Sequence, residues 1–584
     1  MNIGLQALAA VFVCFAAAVS AATPEWIVRS NSIAQPILES RAKLNPEQAS
    51  YRGLDAFDTD IRDLAPGAYE RQVALLEGAV ASLRRTREGE SDTRVKQDID
   101  IMATALQNDL AVERAEHAHL FEYLDATDIA SGGLSALLDP RNKPERQARA
   151  LVRLKRYAGR ETGYVPLATL ARQRIEQSMA QPGLEGPYVE QVKQNLKNTD
   201  ILLAGISDLF TRAKLAGWEQ DFAALSTQMR EFRDWQARAV LPRARAKAML
   251  PEEVYAALVR QRGVDMAPQE IMDRATAEWQ EVMGEIQQLA AEVAKARGLP
   301  SARPKDVIAV LKKQQLAPDA MLSLYRERLK AIEAIIRREK IITLPAREMT
   351  IRAATPAEAA QTPAPQMRPP RLIGNTGEYG EFVIPLVNPH AKTGAAMDDF
   401  TFDAATWTVA AHEARPGHEL QFASMVEQGV SLARSTFAIN SANAEGWGLY
   451  CETLVVPYIP LEARLIGAQY RLARIARATL DPMLNLGRIT PERAKQVLME
   501  DVGMSEPFSQ QEVDRYTFWA PGQATSYFYG LQKLRSLRTQ VEIALGPRFD
   551  QQAFHDFVIS QGMLPPPILA QAVMEQFVPA QQKR

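Results

Sequence analysis

Apolar residues recur at three- and four-residue steps along most of the chain, a spacing that places them on one face of an α-helix. The clearest case is 267–298, where Pro268 lies in the expected first turn and Gly298 ends the pattern. The same spacing occurs at 69–83, 95–112, 147–157, 189–209, 322–342, 461–480 and 525–545. The pattern therefore predicts a mostly α-helical fold.

One segment has the pattern of a β-strand. Residues 380–387 (GEFVIPLV) are rich in strand-forming side chains, but Pro385 interrupts them. Because a proline has no N–H to donate to a neighbouring strand, it favours the edge of a sheet. Strand patterns are otherwise few, so we expect only minor β-structure.

A change in composition divides the chain. Residues 355–370 (TPAEAAQTPAPQMRPP) contain five prolines and no helical spacing, which is typical of a linker or a surface crossing. The segment separates a charge-rich helical portion, 22–354, from a second portion, 371–584, that holds the chemically unusual residues. We expect two mainly helical portions that face each other across a cleft.

Composition excludes several classes of protein. The 584 residues include 68 Lys+Arg and 70 Asp+Glu, whereas general nucleic-acid binders have a basic excess, so we expect no nucleic-acid partner. An apolar fraction of 46% is typical of a globular chain and not of a disordered one. Two cysteines are too few for a disulfide scaffold or a four-cysteine zinc module. The oligomeric state is left open.

The N-terminus has the pattern of a secretory signal peptide. An apolar run at 5–19 ends in the small residues Ser20, Ala21 and Ala22, so we interpret residues 1–21 as a cleaved signal and expect a periplasmic or secreted protein. No Lys or Arg precedes the run, which leaves an uncleaved membrane anchor as the alternative. Cys14 follows Val13, where a lipoprotein signal would have a small residue. No second long apolar segment follows, so we expect no membrane span after cleavage.

The segment 412–421 (HEARPGHELQ) holds two of the six histidines, His412 and His418, with Glu413 directly after the first. In zincins two helical histidines bind zinc, and the glutamate beside the first activates water. Their usual spacing of four residues returns both rings to one helix face, whereas six residues turn a helix by about 600° and separate them. Pro416 and Gly417 can distort the helix. We expect a local bulge that brings His418 back beside His412.

Two imidazoles need a third ligand. Segment 443–452 (NAEGWGLYCE) lies far enough beyond His418 for a turn and a return helix, and a carboxylate from a second helix is a usual zinc ligand. It offers Glu445 and Glu452, which lie seven residues apart and therefore close to one helix face. Either glutamate can be the ligand, and the other can orient a ligand by a hydrogen bond.

These blocks, together with the later EVDRYTFWAPGQATSYFYG, the opening pattern at 46–69 and the closing FHDFVISQG, resemble the bacterial family known as domain of unknown function 885. That family is regarded as similar to gluzincin peptidases, a group that includes thimet oligopeptidase and the Taq-type carboxypeptidases. The resemblance implies a large helical fold with a deep cleft between two halves. It implies His412, His418 and Glu445 as ligands of one zinc ion, and Glu413 as general base. It supplies no substrate.

Attack of water on a peptide carbonyl makes an oxyanion, which needs a hydrogen-bond donor. Arg515, Tyr516 and Tyr527 are the candidates, and we favour Tyr527 over Tyr516. The alternative for each tyrosine is a structural one, in which it packs in a helix with its hydroxyl hydrogen-bonded.

The sequence therefore predicts an exported zinc-dependent hydrolase, most simply a peptidase that acts on a peptide substrate. Residues 380–387 would add an extended peptide as a further strand. One alternative is a metal-dependent hydrolase of a non-peptide amide or ester. The other is a non-catalytic periplasmic binding protein that keeps the motif for structural reasons.

Overall fold

The computed structural model describes residues 23–355, 358–359, 364–375, 377–386 and 397–583. The signal peptide predicted at 1–21 lies outside the described residues, as do parts of 355–370 and the last residue of 380–387. Within the described ranges, no helix is both long enough and apolar enough to cross a membrane.

The fold is mostly α with a small sheet, which confirms the fold class predicted from the apolar spacing. Helices α1 to α14 span Glu25–Leu44, Pro46–Arg52, Ala68–Gly89, Thr93–His119, Ala126–Leu137, Pro144–Gln147, Arg149–Tyr157, Leu167–Met179, Val189–Arg212, Glu219–Ala239, Glu252–Gln261, Pro268–Arg297, Pro304–Lys312 and Pro318–Arg338. Helices α15 to α24 span Asp403–Glu413, His418–Gln428, Ser441–Val455, Leu461–Asn485, Pro491–Val497, Glu506–Asp514, Thr525–Leu545, Gln551–Ser560, Pro566–Ala572 and Val578–Gln582. Single π-helical turns lie at Ala433–Phe437, Leu498–Val502, Arg515–Trp519 and Val573–Phe577.

Helix α12 follows its sequence pattern closely. Pro268 is its first residue, a position at which a missing N–H breaks no helical bond. Gly298 ends it in the left-handed conformation, with φ at 62°, which glycine adopts without steric cost. Its buried face packs along α18, which is itself buried over most of its length. This pair lies in the larger of two hydrophobic cores.

The two hydrophobic cores do not follow the division expected at 355–370. The larger core combines buried residues from 34–106 with residues from 250–578. The smaller core is built from Leu64 and residues of 121–240. The chain therefore leaves the larger core, builds the smaller one, and returns to the larger core well before the Pro-rich segment.

The sheet has three strands, β1 (Thr350–Ala353), β2 (Gln366–Arg368) and β3 (Glu381–Ile384), in the order β1-β3-β2. Strand β3 pairs parallel with β1 and antiparallel with β2. The expected edge position of β3 is wrong: it is central, because it ends before Pro385 and needs no donor there. Strand β2 also corrects the linker interpretation of 355–370, since the end of that segment is part of the sheet.

Strand β2 is held from outside the sheet by the turn that follows α5. Arg368 forms an ion pair with Asp139. Arg141 Nη1 donates to the carbonyl oxygen of Pro369 at 3.2 Å. This turn follows Leu137 and Leu138 of the smaller core, so β2 is fixed between the sheet and that part of the chain.

Helices α17 and α21 cross with their backbones in contact. A Cβ on Gly446 would lie 2.5 Å from the carbonyl carbon of Gly530, and a Cβ on Gly530 would lie 1.9 Å from the oxygen of Ala442. Side-chain carbons do not approach backbone atoms this closely, so only glycine fits at both positions. The crossing brings Glu445, the neighbour of Gly446, beside the first turn of α21, which carries Tyr527.

Replacing Gly530 with alanine is expected to lower the free energy of unfolding by roughly 2–3 kcal/mol, because the methyl group must push the two backbones apart. Urea denaturation measures the change. The matched control is Gly205→Ala in α9, where an added Cβ meets no atom within 4 Å and stability should be kept or slightly raised. A Gly530→Ala protein as stable as the wild type would contradict the close crossing.

Candidate metal centre

His412 and His418 lie on two different helices. His412 is in the last turn of α15, and His418 is the first residue of α16. The turn between them contains a cis peptide bond between Arg415 and Pro416. The two imidazole rings meet edge to face, with their centroids 4.7 Å apart. The rings are thus adjacent as the spacing argument required, but through a complete helix break and not through a bulge within one helix.

Gly417 makes the tight return possible. A Cβ at this position would lie 1.8 Å from the carbonyl oxygen of His412, so no other residue fits without moving the turn. The indole Nε1 of Trp447 donates to the carbonyl oxygen of Pro416 at 3.0 Å and ties the turn to α17. Both members of the Pro-Gly pair therefore have a defined role in bringing the histidines together.

Arg415, inside the same turn, is almost completely buried and fully paired. Its Nε donates to Glu419 at 2.9 Å, its Nη1 donates to Glu333 at 2.7 Å, and its Nη2 donates to the carbonyl oxygen of Arg347 at 3.1 Å. These bonds join the turn to α14, to α16 and to the segment before β1. The position of the turn is consequently set by charge-assisted hydrogen bonds on three sides.

Glu445 completes a group of three. It lies on α17, whose first turn is capped by the Asn440 side chain accepting from the N–H of Asn443. Its Oε2 is 3.5 Å from Nε2 of His412 and 3.6 Å from Nε2 of His418. One nitrogen or oxygen from each of the three residues lies within 4.8 Å of the others.

The three side chains fit a zinc ion. Tetrahedral ligands at roughly 2.1 Å from zinc lie about 3.4 Å from one another, close to the separations of Glu445 from the two histidines. Two imidazoles and one carboxylate are also a usual zinc donor set, which leaves one position open.

Glu452 forms a hydrogen bond with Nδ1 of His412, the ring nitrogen that does not face Glu445. Its Oε1 is 2.8 Å from Nδ1 of His412 and 3.5 Å from Nη2 of Arg474. A carboxylate on Nδ1 fixes the ring orientation and leaves Nε2 to face Glu445. Of the two alternatives from sequence, Glu445 therefore faces both histidines and Glu452 supports one of them from behind.

Three carboxylates make the centre attractive to positive charge. Burial acts to lower the pKa of His412, but hydrogen bonds to Glu445 and Glu452 and the charge of Glu413 raise it to about 9. Burial acts to raise the pKa of Glu445, yet hydrogen bonds and charge from His412 and His418 hold it well below its usual value. The acidic groups thus favour a cation beside the two imidazoles.

Gly448 provides the space for the His412 ring. A Cβ on Gly448 would lie 2.5 Å from Cε1, 2.7 Å from Nε2 and 2.8 Å from Nδ1 of that ring. The imidazole therefore packs directly on the backbone of α17. The sequence contained a hint of this contact in the repeated glycines of EGWG, but spacing alone did not identify which ring they face.

Glu413 lies next to His412, and its Oε2 accepts a hydrogen bond from the N–H of Met367 at 2.8 Å. Met367 is the middle residue of β2, so this N–H points away from β3 and towards the candidate centre. The Pro-rich segment gave no signal of this contact in the sequence. The carboxylate proposed as general base is thus held by the outer edge of the sheet.

The two candidate tyrosines have different surroundings. Arg515 Nη2 donates to the hydroxyl of Tyr527 at 2.9 Å. Burial raises the pKa of Tyr527 above its usual value, the charge of Arg515 opposes the rise, and the charge of Glu445 adds to it. Tyr516 is fully buried, and its hydroxyl donates to Glu512 at 2.8 Å. Tyr516 is therefore a packed structural residue with a bonded hydroxyl, which was the alternative considered for it. Arg515 holds the hydroxyl of Tyr527 in place by a hydrogen bond.

Gly448→Ala is expected to weaken zinc binding by about 10- to 100-fold, the range seen when groups that orient a metal ligand are changed, because the methyl group displaces the His412 ring. Competition with a chromophoric chelator measures the affinity. Gly284→Ala in α12, where an added Cβ meets nothing within 4 Å, is the control and should bind zinc normally. Equal affinity in all three proteins would show that the ring position does not matter for binding.

Comparison with known proteins places the chain in a family. Residues 46–573 match a family described as "Bacterial protein of unknown function (DUF885)". A solved structure from Shewanella oneidensis shares 18% identity, with 94% of this chain and 100% of that chain covered and a TM-score of 0.74. One from Colwellia psychrerythraea shares 19% identity, with 95% and 99% covered and a TM-score of 0.76. Both are described as a "putative lipoprotein", and at this identity the likeness shows the fold alone. No curated protein matches. The chain belongs to the DUF885 family of bacterial proteins.

Proposed function

We propose that this protein is an exported zinc-dependent hydrolase, and that its substrates are peptides. The observation that carries the proposal is the convergence of His412, His418 and Glu445 within 4.8 Å, with Glu413 directly beside His412. The likeness to gluzincin peptidases and the binding of one zinc ion belong to this proposal. So does a periplasmic or secreted location, for which the support is the signal-like segment at 1–21.

His412, His418 and Glu445 would hold the metal, which supplies a positive charge that acidifies water and polarises a carbonyl group. Glu413 would take the proton from the attacking water and give it to the leaving nitrogen. One carboxylate oxygen of Glu413 already accepts from Met367, and no described residue donates to the other. The second oxygen is therefore available to move the proton.

Tyr527 is the best donor for the oxyanion. Its hydroxyl oxygen accepts from Arg515, so its own proton is free to point elsewhere. Among the described residues no acceptor takes that proton, whereas the Tyr516 proton is already bound to Glu512. A developing negative charge on a substrate carbonyl would supply the missing acceptor.

An extended peptide could not pair with β3, and the outward N–H of Met367 in β2 is already in use. The expectation that 380–387 adds a strand is wrong for Glu381–Ile384, because both sides of that strand are already paired. The outer edge of β2 carries the Met367 N–H that reaches Glu413. A peptide added there would have to displace Glu413 from this N–H, so the proposal includes no added strand.

Glu413→Gln is expected to lower the turnover of a peptide mixture by about 10²- to 10⁴-fold while zinc content stays unchanged, because only the proton acceptor is removed. Metal analysis of the purified protein and mass spectrometry of the peptide products measure both. Cleavage that survives the substitution would reject Glu413 as the base. Turnover of ester or non-peptide amide substrates without any peptide cleavage would favour the other hydrolase class, and zinc without any turnover would favour a binding protein.

Tyr527→Phe is expected to lower kcat by about 10²- to 10³-fold with normal zinc binding, because one oxyanion donor is lost. Tyr516→Phe is the matched control. It removes a buried hydrogen bond to Glu512 and should lower stability by about 1–2 kcal/mol with kcat nearly unchanged. Steady-state kinetics and urea denaturation separate the two effects, and equal losses of kcat would contradict the assignment.

A further inference from the structure

Asp481 is a completely buried carboxylate on α18 whose hydrogen bonds, among the described residues, come from neutral donors. Its Oδ1 accepts from the hydroxyl of Tyr255 at 3.2 Å, from Nδ2 of Asn485 at 3.0 Å and from the N–H of Gly522 at 3.0 Å. Its Oδ2 accepts from the N–H of Ala524 at 3.2 Å. Burying a carboxylate costs free energy that neutral donors only partly return, so its presence here needs an explanation.

Two of these bonds hold the start of α21. Ala524 is the N-cap of that helix and offers no side-chain acceptor of its own. The N–H groups of Gly522 and Ala524, one on each side of Gln523, reach Asp481 instead. Tyr527 is the third residue of α21. The carboxylate therefore fixes the backbone directly before the turn from which Tyr527 projects.

Gln523, between the two bonded N–H groups, links Tyr527 to the helix that carries Glu445. Nη2 of Arg515 donates to Oε1 of Gln523 at 2.5 Å and to the hydroxyl of Tyr527 at 2.9 Å. Nε2 of Gln523 donates to Oγ of Ser441, the first residue of α17, at 2.8 Å. A displacement of Gln523 would therefore move Arg515 and Tyr527 relative to Glu445.

Asn485 extends the same contact to the π-helical turn Arg515–Trp519. Its Nδ2 donates to Asp481 and also to the carbonyl oxygen of Tyr516, each at 3.0 Å. Asp481 and Asn485 lie one turn apart on α18. Together they hold segment 515–524 at both ends, from the turn that contains Arg515 to the start of α21.

Only the ionised carboxylate of Asp481 can accept from all four donors. A protonated carboxyl group turns one of its oxygens into a donor. Three donors reach Oδ1, whereas Ala524 alone reaches Oδ2, so Oδ2 is the easier oxygen to protonate. An O–H at that position would face the N–H of Ala524. Protonation would therefore break the bond at the N-cap of α21 first.

The charge of Asp481 changes near neutral pH. Burial raises its pKa to about 7, although its hydrogen bonds and the charge of Arg515 oppose the rise. The charged or titratable groups that act on it from neighbouring elements are Tyr255 of α11, Arg262 after that helix and Arg515. Since the ordinary pKa of an aspartate is about 4, the contribution of this group to stability falls as the pH rises from about 4 to about 7. The ionised form therefore does not serve stability.

We propose that Asp481 is a positioning residue for Tyr527, and that its protonation switches the candidate centre to a less active form. The ionised carboxylate holds segment 515–524 so that Arg515 and Tyr527 keep their places. The protonated group releases the N–H of Ala524, and Tyr527 shifts. The inference rests on the proposed role of Tyr527 in catalysis and adds a regulation of that site by pH.

The position of Tyr527 can be followed without turnover. Protein that carries fluorotyrosine in place of tyrosine is titrated by fluorine NMR, and the Tyr527 resonance is identified as the one lost in Tyr527→Phe. We expect this resonance to shift in one step with a midpoint at about pH 7, and Asp481→Asn to remove the step. Tyr255→Phe removes one hydrogen bond to the ionised form and should raise the midpoint by roughly 0.5–1 pH unit.

Asp125→Asn is the matched control. Asp125 also accepts from two backbone N–H groups at the start of a helix, those of Thr127 and Asp128, and burial raises its pKa to about 6. It caps α5 in the smaller core, so this variant should leave the Tyr527 resonance and the turnover of peptides unchanged.

Steady-state kinetics give a second readout. Above about pH 7, Asp481→Asn should lower kcat by about 10- to 100-fold with KM nearly kept, because a small displacement of a catalytic group has effects of this size. Added to Tyr527→Phe, the same substitution should have little further effect, since both changes act through one hydroxyl.

A Tyr527 resonance that does not move near pH 7, or a step that persists in Asp481→Asn, overturns the proposal. So do equal losses of kcat from Asp481→Asn with and without Tyr527→Phe, because a purely structural effect would lower both alike. If Asp481→Asn does not fold, a midpoint unmoved by Tyr255→Phe overturns it instead. If the step depends on Asp481 but the protein cleaves no peptide at any pH, the positioning role stands and the peptidase function fails. Peptide cleavage with the same pH profile in the wild type and in Asp481→Asn keeps the peptidase function and removes the switch.

Discussion

Helix α17 is approached on two faces so closely that neither contact leaves room for a side chain. The His412 ring lies against Gly448, and the backbone of α21 lies against Gly446. These two glycines are two residues apart, in the helical turn that follows Glu445. The third member of the group is therefore aligned with His412 from one direction and with Tyr527 from the other. A side chain at Gly448 would push the His412 ring away from α17, and a side chain at Gly446 would push α21 away from it.

Buried charge maintains this geometry. Arg415 holds the turn between the histidines through Glu333 and Glu419, while Arg477 and Glu512 hold Arg515 under Tyr527. Buried ion pairs add little net stability, because desolvation offsets most of the attraction, but breaking one leaves an uncompensated charge. Such networks therefore oppose small displacements more than they stabilise the fold as a whole. A metal centre built across a helix break needs that resistance to displacement.

The sequence was informative where one local rule decides the outcome. Apolar spacing located α12 and its ends, and the residue types at 412–418 selected the two histidines that converge. The choice of Glu445 over Glu452 came from the family resemblance and not from spacing. It failed where two distant segments compete. Pro385 suggested an edge strand, but β3 stops before it and β2 takes the remaining side. The roles of Tyr516 and Tyr527 depend on which acceptor lies opposite each hydroxyl, and no spacing rule encodes that.

The hydrogen bond from Met367 to Glu413 links the candidate centre, in the larger core, to the turn beside the smaller core. Strand β2, which donates it, is fastened on one side to the sheet and on the other to the turn that carries Asp139 and Arg141. The oxygen bonded to Met367 is thus mechanically connected to residues that adjoin the smaller core. A shift of that core would move strand β2 and, through this bond, the carboxylate of Glu413. The place of Glu413 beside His412 therefore depends on packing in both hydrophobic cores.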